Sequence, residues 1–256
     1  MDLTLKQEEK EVVLDEAAKA NLPVLEEMMK AGLFIGRKGS KLHPKMKPLI
    51  FGMRNGVSII DLEETLKYLE KAMDFIKSKA GEKNSILLVG TTPSTQNLVE
   101  NLAKKLSLPY VIERWLGGTL TNFKTLSKRV SHFKKLKSDK ETGRLEKYTK
   151  KERLDIDRQI IKMTKMFGGV EEMAVLPKVL FVVDVNANMT AVNEAKILKI
   201  PVVGIMNTDT NIELIDYPIP ANDRSKSSVE WILGRLEQAV NEGKELSKEI
   251  GKVVAK

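Results

Sequence analysis

Few side chains in this 256-residue chain are of a type that carries covalent chemistry, and their spacing argues against it. Cysteine is absent and histidine occurs only at positions 43 and 132, which excludes thiol catalysis, disulfides and the usual zinc sites. His43 sits in a basic, proline-bearing stretch and His132 in a charged helical one, so neither is set up as the base of a Ser-His-Asp triad. Asp209, Asp216 and Asp223 lack the close Asp-x-[Asp/Asn] spacing of a calcium loop. Val89-Gly90-Thr91-Thr92 follows an apolar run and precedes a helical pattern, a turn whose backbone N–H groups can meet a phosphate. It matches neither G-x-G-x-x-G nor G-x-x-x-x-G-K-[ST], and a single glycine after a strand is mostly turn geometry. Asp184 ends a strand at the edge where open α/β sheets bind ligands, although alone such a residue more often caps an element. The expectation is no catalytic set, no metal and no cofactor.

The chemistry the chain does offer is cationic. It holds 43 Lys and Arg against 35 Asp and Glu, a net of +8, with a pI near 9.4. Between Thr119 and Phe167 fifteen basic residues face six acidic ones, a net of +9, so the remainder is close to neutral. A second concentration is Gly36 to Pro48, where Arg37, Lys38, Lys41, Lys45 and Lys47 occur without an acid. Such groups neutralise phosphates, so a nucleic acid is the expected partner, and neither a membrane nor a small-molecule substrate is. The candidate RNA-binding residues are those five with Lys124, Lys128, Arg129, Lys134 and Lys135. A solvated loop without a partner is the competing reading of residues 36–48. Aromatics make up only 5%, so phosphate contact to folded RNA is favoured over base stacking.

These cations need a frame. Leu22, Leu25, Met28 and Met29 predict a helix stopped by Gly32, after a charged leader. Gly36 to Pro48 reads as irregular. Val57 to Asp61, Ile86 to Gly90, Tyr110 to Glu113, Val179 to Asp184, Pro201 to Met206 and Tyr217 to Ile219 predict strands. Helical patterns alternate with them at 62–76, 95–106 and 189–198, and a last helix opens on a Ser227-Ser228-Val229-Glu230 capping box. This is an α/β fold with a mostly parallel sheet covered on both faces. In the basic block Phe123, Leu126, Val130 and Phe133, and then Ile156, Ile160, Met163 and Phe167, form narrow apolar seams. With a turn at 138–143 and a capping box at Thr149 to Glu152, they predict an antiparallel coiled-coil hairpin over 119–167, inserted between α/β segments 1–118 and 168–256. Arg114 to Phe123 is the joint, with Gly117-Gly118 as an elbow and Trp115 as a buried anchor. No run of about 18 apolar residues exists and the charged start is unlike a signal peptide, so a cytoplasmic protein is expected.

Several motifs, in order, carry a family resemblance: Gly32-Leu33-Phe34-Ile35-Gly36, Pro44 to Gly52 with Arg54-Asn55-Gly56, Arg114 to Phe123, Leu145 to Glu152, Leu180 to Asp184, and Asp216 to Asp223. From about Leu25 to Val240 the chain resembles the second-protein family of the bacterial small ribosomal subunit. It departs from that pattern at Arg37, Ala174-Val175, Asn207 to Asp209 and Ile212. The resemblance implies a flavodoxin-like or Rossmann-like domain with a protruding coiled-coil hairpin, lodged between the head and body of the subunit. It further implies contacts with small-subunit rRNA and with neighbouring ribosomal proteins, among them the OB-fold-repeat protein that helps recruit mRNA, and no enzymatic activity.

Overall fold

Burial of two alternating sets of side chains organises the chain in a computed structural model that describes residues 21–81 and 85–254. The charged leader before residue 21 lies outside the described residues. Helix α1 covers 21–31, and β1 (Ile35–Lys38), β2 (Ile50–Arg54) and β3 (Val57–Ile60) follow, then α2 (Leu62–Lys79). After β4 (Ile86–Val89) come α3 (Gln96–Leu106), β5 (Tyr110–Val111), α4 (Phe123–Glu141) and α5 (Lys150–Phe167). The chain continues through β6 (Val179–Val183), α6 (Met189–Ile197), β7 (Val202–Met206), β8 (Tyr217–Pro220) and α7 (Lys226–Val254).

Five strands form a parallel sheet in the order β5-β4-β6-β7-β8, with Leu88 opposite Phe181 and Val182 opposite Gly204. Strand side chains alternate between faces. Ile86, Leu88, Phe181, Val183, Val203 and Ile205 pack with α2, α3 and α7, while Leu87, Val89, Leu180, Val182 and Val202 pack with α4, α5 and α6. With both faces covered, the strands read as unbroken apolar runs, which is why their periodicity is invisible in sequence. The second apolar cluster runs on from the sheet through Trp115 and Leu120 to Leu126, Val130, Phe133, Ile160 and Phe167.

Several local expectations are corrected. A separate three-stranded antiparallel sheet, β1-β3-β2, carries the basic stretch read as irregular. Within it, Gly39–Lys41 and Pro44–Leu49 form 3-10 turns, Pro44 starting the second where its missing N–H leaves no bond unmade. The strand expected over Tyr110 to Glu113 is only two residues long. Helix α4 runs through the turn expected at 138–143 as far as Glu141. Helix α7 starts at Lys226, so Ser227 to Glu230 lies inside it and is no capping box; the Asn222 side chain instead accepts from the N–H groups of Arg224 (3.2 Å) and Ser225 (3.3 Å) just before the helix. The box at the start of α5 is present, Thr149 N–H donating to Glu152 Oε2 at 2.9 Å and Glu152 N–H to Thr149 Oγ1 at 3.4 Å. Thr149→Ala should therefore cost about 1 kcal/mol at that end. Hydrogen exchange is the measure: amides 150–153 should exchange faster while those of β6 keep their protection.

Candidate nucleic-acid interface

The joint that sends the chain from β5 into α4 is built around a single carboxylate. Glu194, buried on α6, accepts through Oε1 from Trp115 Nε1–H (3.0 Å) and Gly118 N–H (2.8 Å). Its Oε2 accepts from the N–H groups of Leu120 (3.0 Å) and Thr121 (3.1 Å) and from Thr121 Oγ1–H (3.1 Å). Gly118 makes this wrap possible with φ +87, a left-handed conformation that costs a side-chain-bearing residue energy. Trp115 is buried as the anchor of the elbow, and Thr119 donates to Leu116 O at 2.6 Å. Burial pushes the Glu194 pKa up, but the donors from Trp115, Thr121, Gly118 and Leu120 outweigh it and hold the carboxyl below its ordinary value.

Beyond the joint, α4 and α5 bury the seams expected of them. Leu126, Val130, Phe133, Ile160 and Phe167 are buried, and Phe123, Ile156 and Met163 partly so. Lys140, late in α4, reaches Asp157, early in α5, at 2.8 Å, and Arg129 shares a groove with Met163 and Phe167. Lys124, Lys128, Arg129, Lys134 and Lys135 are all exposed. At about 100° per residue Lys124, Lys128 and Lys135 fall on one stripe opposite the seam, and Arg129 and Lys134 flank it. The same geometry on α5 brings out a set that the sequence reading missed: Lys151, Arg158, Lys162 and Lys165 are exposed on the side away from Ile156 and Ile160. Their spacing of seven, four and three residues was the available signal. Lys137, by contrast, is engaged, 3.0 Å from Glu171 and over the Phe133 ring.

The basic loop divides. Lys38, Lys41 and Lys47 are exposed, whereas Lys45 pairs with Glu213 at 2.6 Å on the surface. The Arg37 guanidinium, expected to face phosphate, turns inward: it donates to Asp223 Oδ1 at 2.7 Å and lies 3.6 Å from Asp209 Oδ2. Beside this loop, β2 presents an apolar face that sequence reasoning also missed. Phe51 is 81% exposed, and with Leu25, Met29, Phe34 and Met53 it lines an open groove of about 690 Å³.

The carboxyl edge of the parallel sheet, where α/β folds bind ligands, is occupied by the chain's own polar groups. Thr92 Oγ1–H donates to Asp184 Oδ2 (3.2 Å), Ala187 N–H to Asp184 Oδ1 (3.0 Å) and Thr91 Oγ1–H to Asn188 Oδ1 (2.9 Å). Asp184 thus caps the turn after β6, and Asn188 Nδ2–H closes on the Val183 and Asp184 carbonyls at 3.0 Å each. Among the described residues no group of three or more His, Asp or Glu is arranged to hold a metal ion, and no helix is long and apolar enough to cross a membrane.

Comparison with known proteins adds a lineage to this geometry. The sequence model of the family described as Ribosomal protein S2 matches residues 28–243. Small ribosomal subunit protein uS2 of Coprothermobacter proteolyticus is 38% identical over 221 residues, covering 86% of this chain and 82% of that protein. The uS2 proteins of Nitratiruptor sp. and Rhodococcus opacus are 39% and 40% identical over 222 and 219 residues, covering 87% and 86% of this chain and 83% and 76% of theirs.

Glu194→Ala should cost about 3 kcal/mol or more, because each buried donor it strands costs about 1–3 kcal/mol. Since the folded pKa of Glu194 is depressed, its contribution is present above the ordinary carboxylate value and lost as pH falls through the folded one. Denaturant titrations across pH 3–7 should show the variant weaker at pH 7 and the difference narrowing toward acid.

Proposed function

The chain belongs to the ribosomal protein S2 family, and from that premise we propose that it is a structural, non-catalytic component of the small ribosomal subunit in the cytoplasm, holding small-subunit rRNA and neighbouring ribosomal proteins together. The observation that carries the rRNA part is the pair of basic stripes opposite the seams of α4 and α5. Cations on the helix face away from the apolar seam can reach the phosphates of folded RNA, and recognition is then by shape. The exposed cations Lys38, Lys41 and Lys47 add a second point of contact, with Lys45 shared between phosphate and Glu213.

The strand order β5-β4-β6-β7-β8 supports a flavodoxin-like sheet, since numbered within the parallel sheet it reads 2-1-3-4-5. The Lys140–Asp157 pair and the narrow seams support an antiparallel coiled-coil hairpin over 119–167, with 1–118 and 168–256 as the α/β part. The face around Phe51 supports protein neighbours, because an apolar patch of this kind gains nothing from phosphate and marks a protein surface. The OB-fold-repeat ribosomal protein implied by the family resemblance is the neighbour proposed for this chain.

Replacing Lys124, Lys128, Lys134 and Lys135 by Gln should weaken binding to small subunits stripped of this protein. Each lost contact should also flatten the slope of log affinity against log salt by roughly 0.9 for duplex or 0.7 for single strand. Stability should change by no more than about 0.5 kcal/mol per site. An unchanged salt slope with a folded variant would assign docking to the protein neighbours. Val130→Asp, which buries an unpaired charge in the seam and costs several kcal/mol, tests the hairpin. Limited proteolysis should open 119–167 first, and equal attack on β6 would mean that the two segments are one cooperative unit.

A further inference from the structure

The basic loop is held in place from outside itself. Arg37 N–H donates to Thr208 Oγ1 at 2.9 Å, and His43 N–H donates to Thr208 O at 2.8 Å. Gly36 passes so close to the same residue that a Cβ there would lie 2.7 Å from Thr208 Cγ2 and 2.6 Å from Ser58 O. The Arg37 side chain, only 16% exposed, reaches past this contact to Asp223, which is fully buried and also accepts from Asn207 Nδ2–H at 3.1 Å. Thus β1 and the loop that follows it are fastened to the segment after β7 by two backbone N–H groups and the Arg37 side chain, and to the entrance of α7 by the Arg37 guanidinium.

Stability alone does not account for such a pair. Burial pushes the Asp223 pKa up to about 6, Asp184 and Asp209 add to the rise, and Arg37 and Asn207 only partly offset it. A carboxyl whose folded pKa is raised favours the fold when protonated, and that preference is lost as pH rises from the unfolded value toward about 6. At neutral pH the ionised group therefore burdens the fold. What a buried, directional pair can supply in return is a unique register between two segments.

Resting on the rRNA reading above, we propose that Arg37 and Asp223 form a positioning latch that fixes the loop so that Lys38, Lys41 and Lys47 meet phosphates, Arg37 itself touching none. The sign of one substitution separates this from ordinary electrostatics. Asp223→Asn removes a negative charge from a protein that binds a polyanion, so the summed field alone would tighten binding. The latch requires it to weaken binding.

The test uses the full-length chain and small subunits stripped of this protein. The variants are Arg37→Gln, Arg37→Lys, Asp223→Asn, the Arg37→Gln/Asp223→Asn double, and a triple Lys38→Gln/Lys41→Gln/Lys47→Gln, with melting curves to verify folding. Asp223→Asn and Arg37→Gln should each weaken binding about fivefold or more. The double should be no worse than either single, because both break the same contact. Arg37→Lys should not restore affinity, since an ammonium cannot engage Asp223 and Asp209 as a planar fork does. Wild-type affinity should fall as pH drops through about 6, and Asp223→Asn should lack this fall. Tighter or unchanged binding by folded Asp223→Asn overturns the latch. So does a salt slope flattened by Arg37→Gln and not by Asp223→Asn, which would make Arg37 a direct phosphate contact. Should Asp223→Asn fail to fold, the wild-type pH profile and Arg37→Lys decide by themselves. Wild-type binding by the triple removes the loop from the interface, and the latch with it.

Discussion

The carboxylate of Glu194 is the point at which sheet and helix pair become one object. Five donors from Trp115, Gly118, Leu120 and Thr121 converge on its two oxygens. Four of these donors belong to the turn that launches α4, so the direction of that helix is set from α6. Without an acceptor at this place the turn would leave several buried N–H groups unpaired, a cost larger than any single apolar contact at the elbow could offset. The apolar cluster continues from β4 and β6 through Trp115 into Val130 and Phe133, and so the polar clamp and the packing point the helix the same way.

At its carboxyl edge the parallel sheet satisfies its own polar side chains. In doubly wound folds the crevice at the carboxyl ends of the strands is where ligands sit. Here Thr91, Thr92, Asp184 and Asn188 satisfy one another across it, and Asp184 adopts φ +60 to cap its turn. The same fold can hold unrelated functions because function lies in the site grafted on it. In this chain the parallel sheet is accompanied by a helix pair and a small antiparallel sheet, and exposed cations lie on both.

Charge is arranged on two levels. Exposed lysines such as Lys124 and Lys128 are oriented by helix geometry. Charges such as the buried Glu194 and Asp223 and the half-buried Arg37 face inward and define where segments meet. The first kind contributes little to stability, and the second contributes order at an energetic cost that burial makes larger. The opposite directions of the pKa displacement at Glu194 and Asp223 follow from this: the former has enough donors to outweigh burial and the latter does not.

By itself the sequence determined the class of fold, the two helical seams, the capping box at Thr149 and the concentration of cations, because each is a property of local spacing. Phe123, Leu126, Val130 and Phe133 can share a face only in a helix, and an unbroken run such as Leu180 to Val183 is buried wherever it lies. Tertiary structure decided what depends on distant partners. Glu194 reads as one more helical acid until Trp115, 79 positions away, donates to it. Arg37 reads as a surface cation until Asp223, 186 positions on, draws it inward. Spacing encodes which side of an element is apolar, but long-range pairing of charges is fixed only when packing brings two segments within hydrogen-bond reach and removes the water between them.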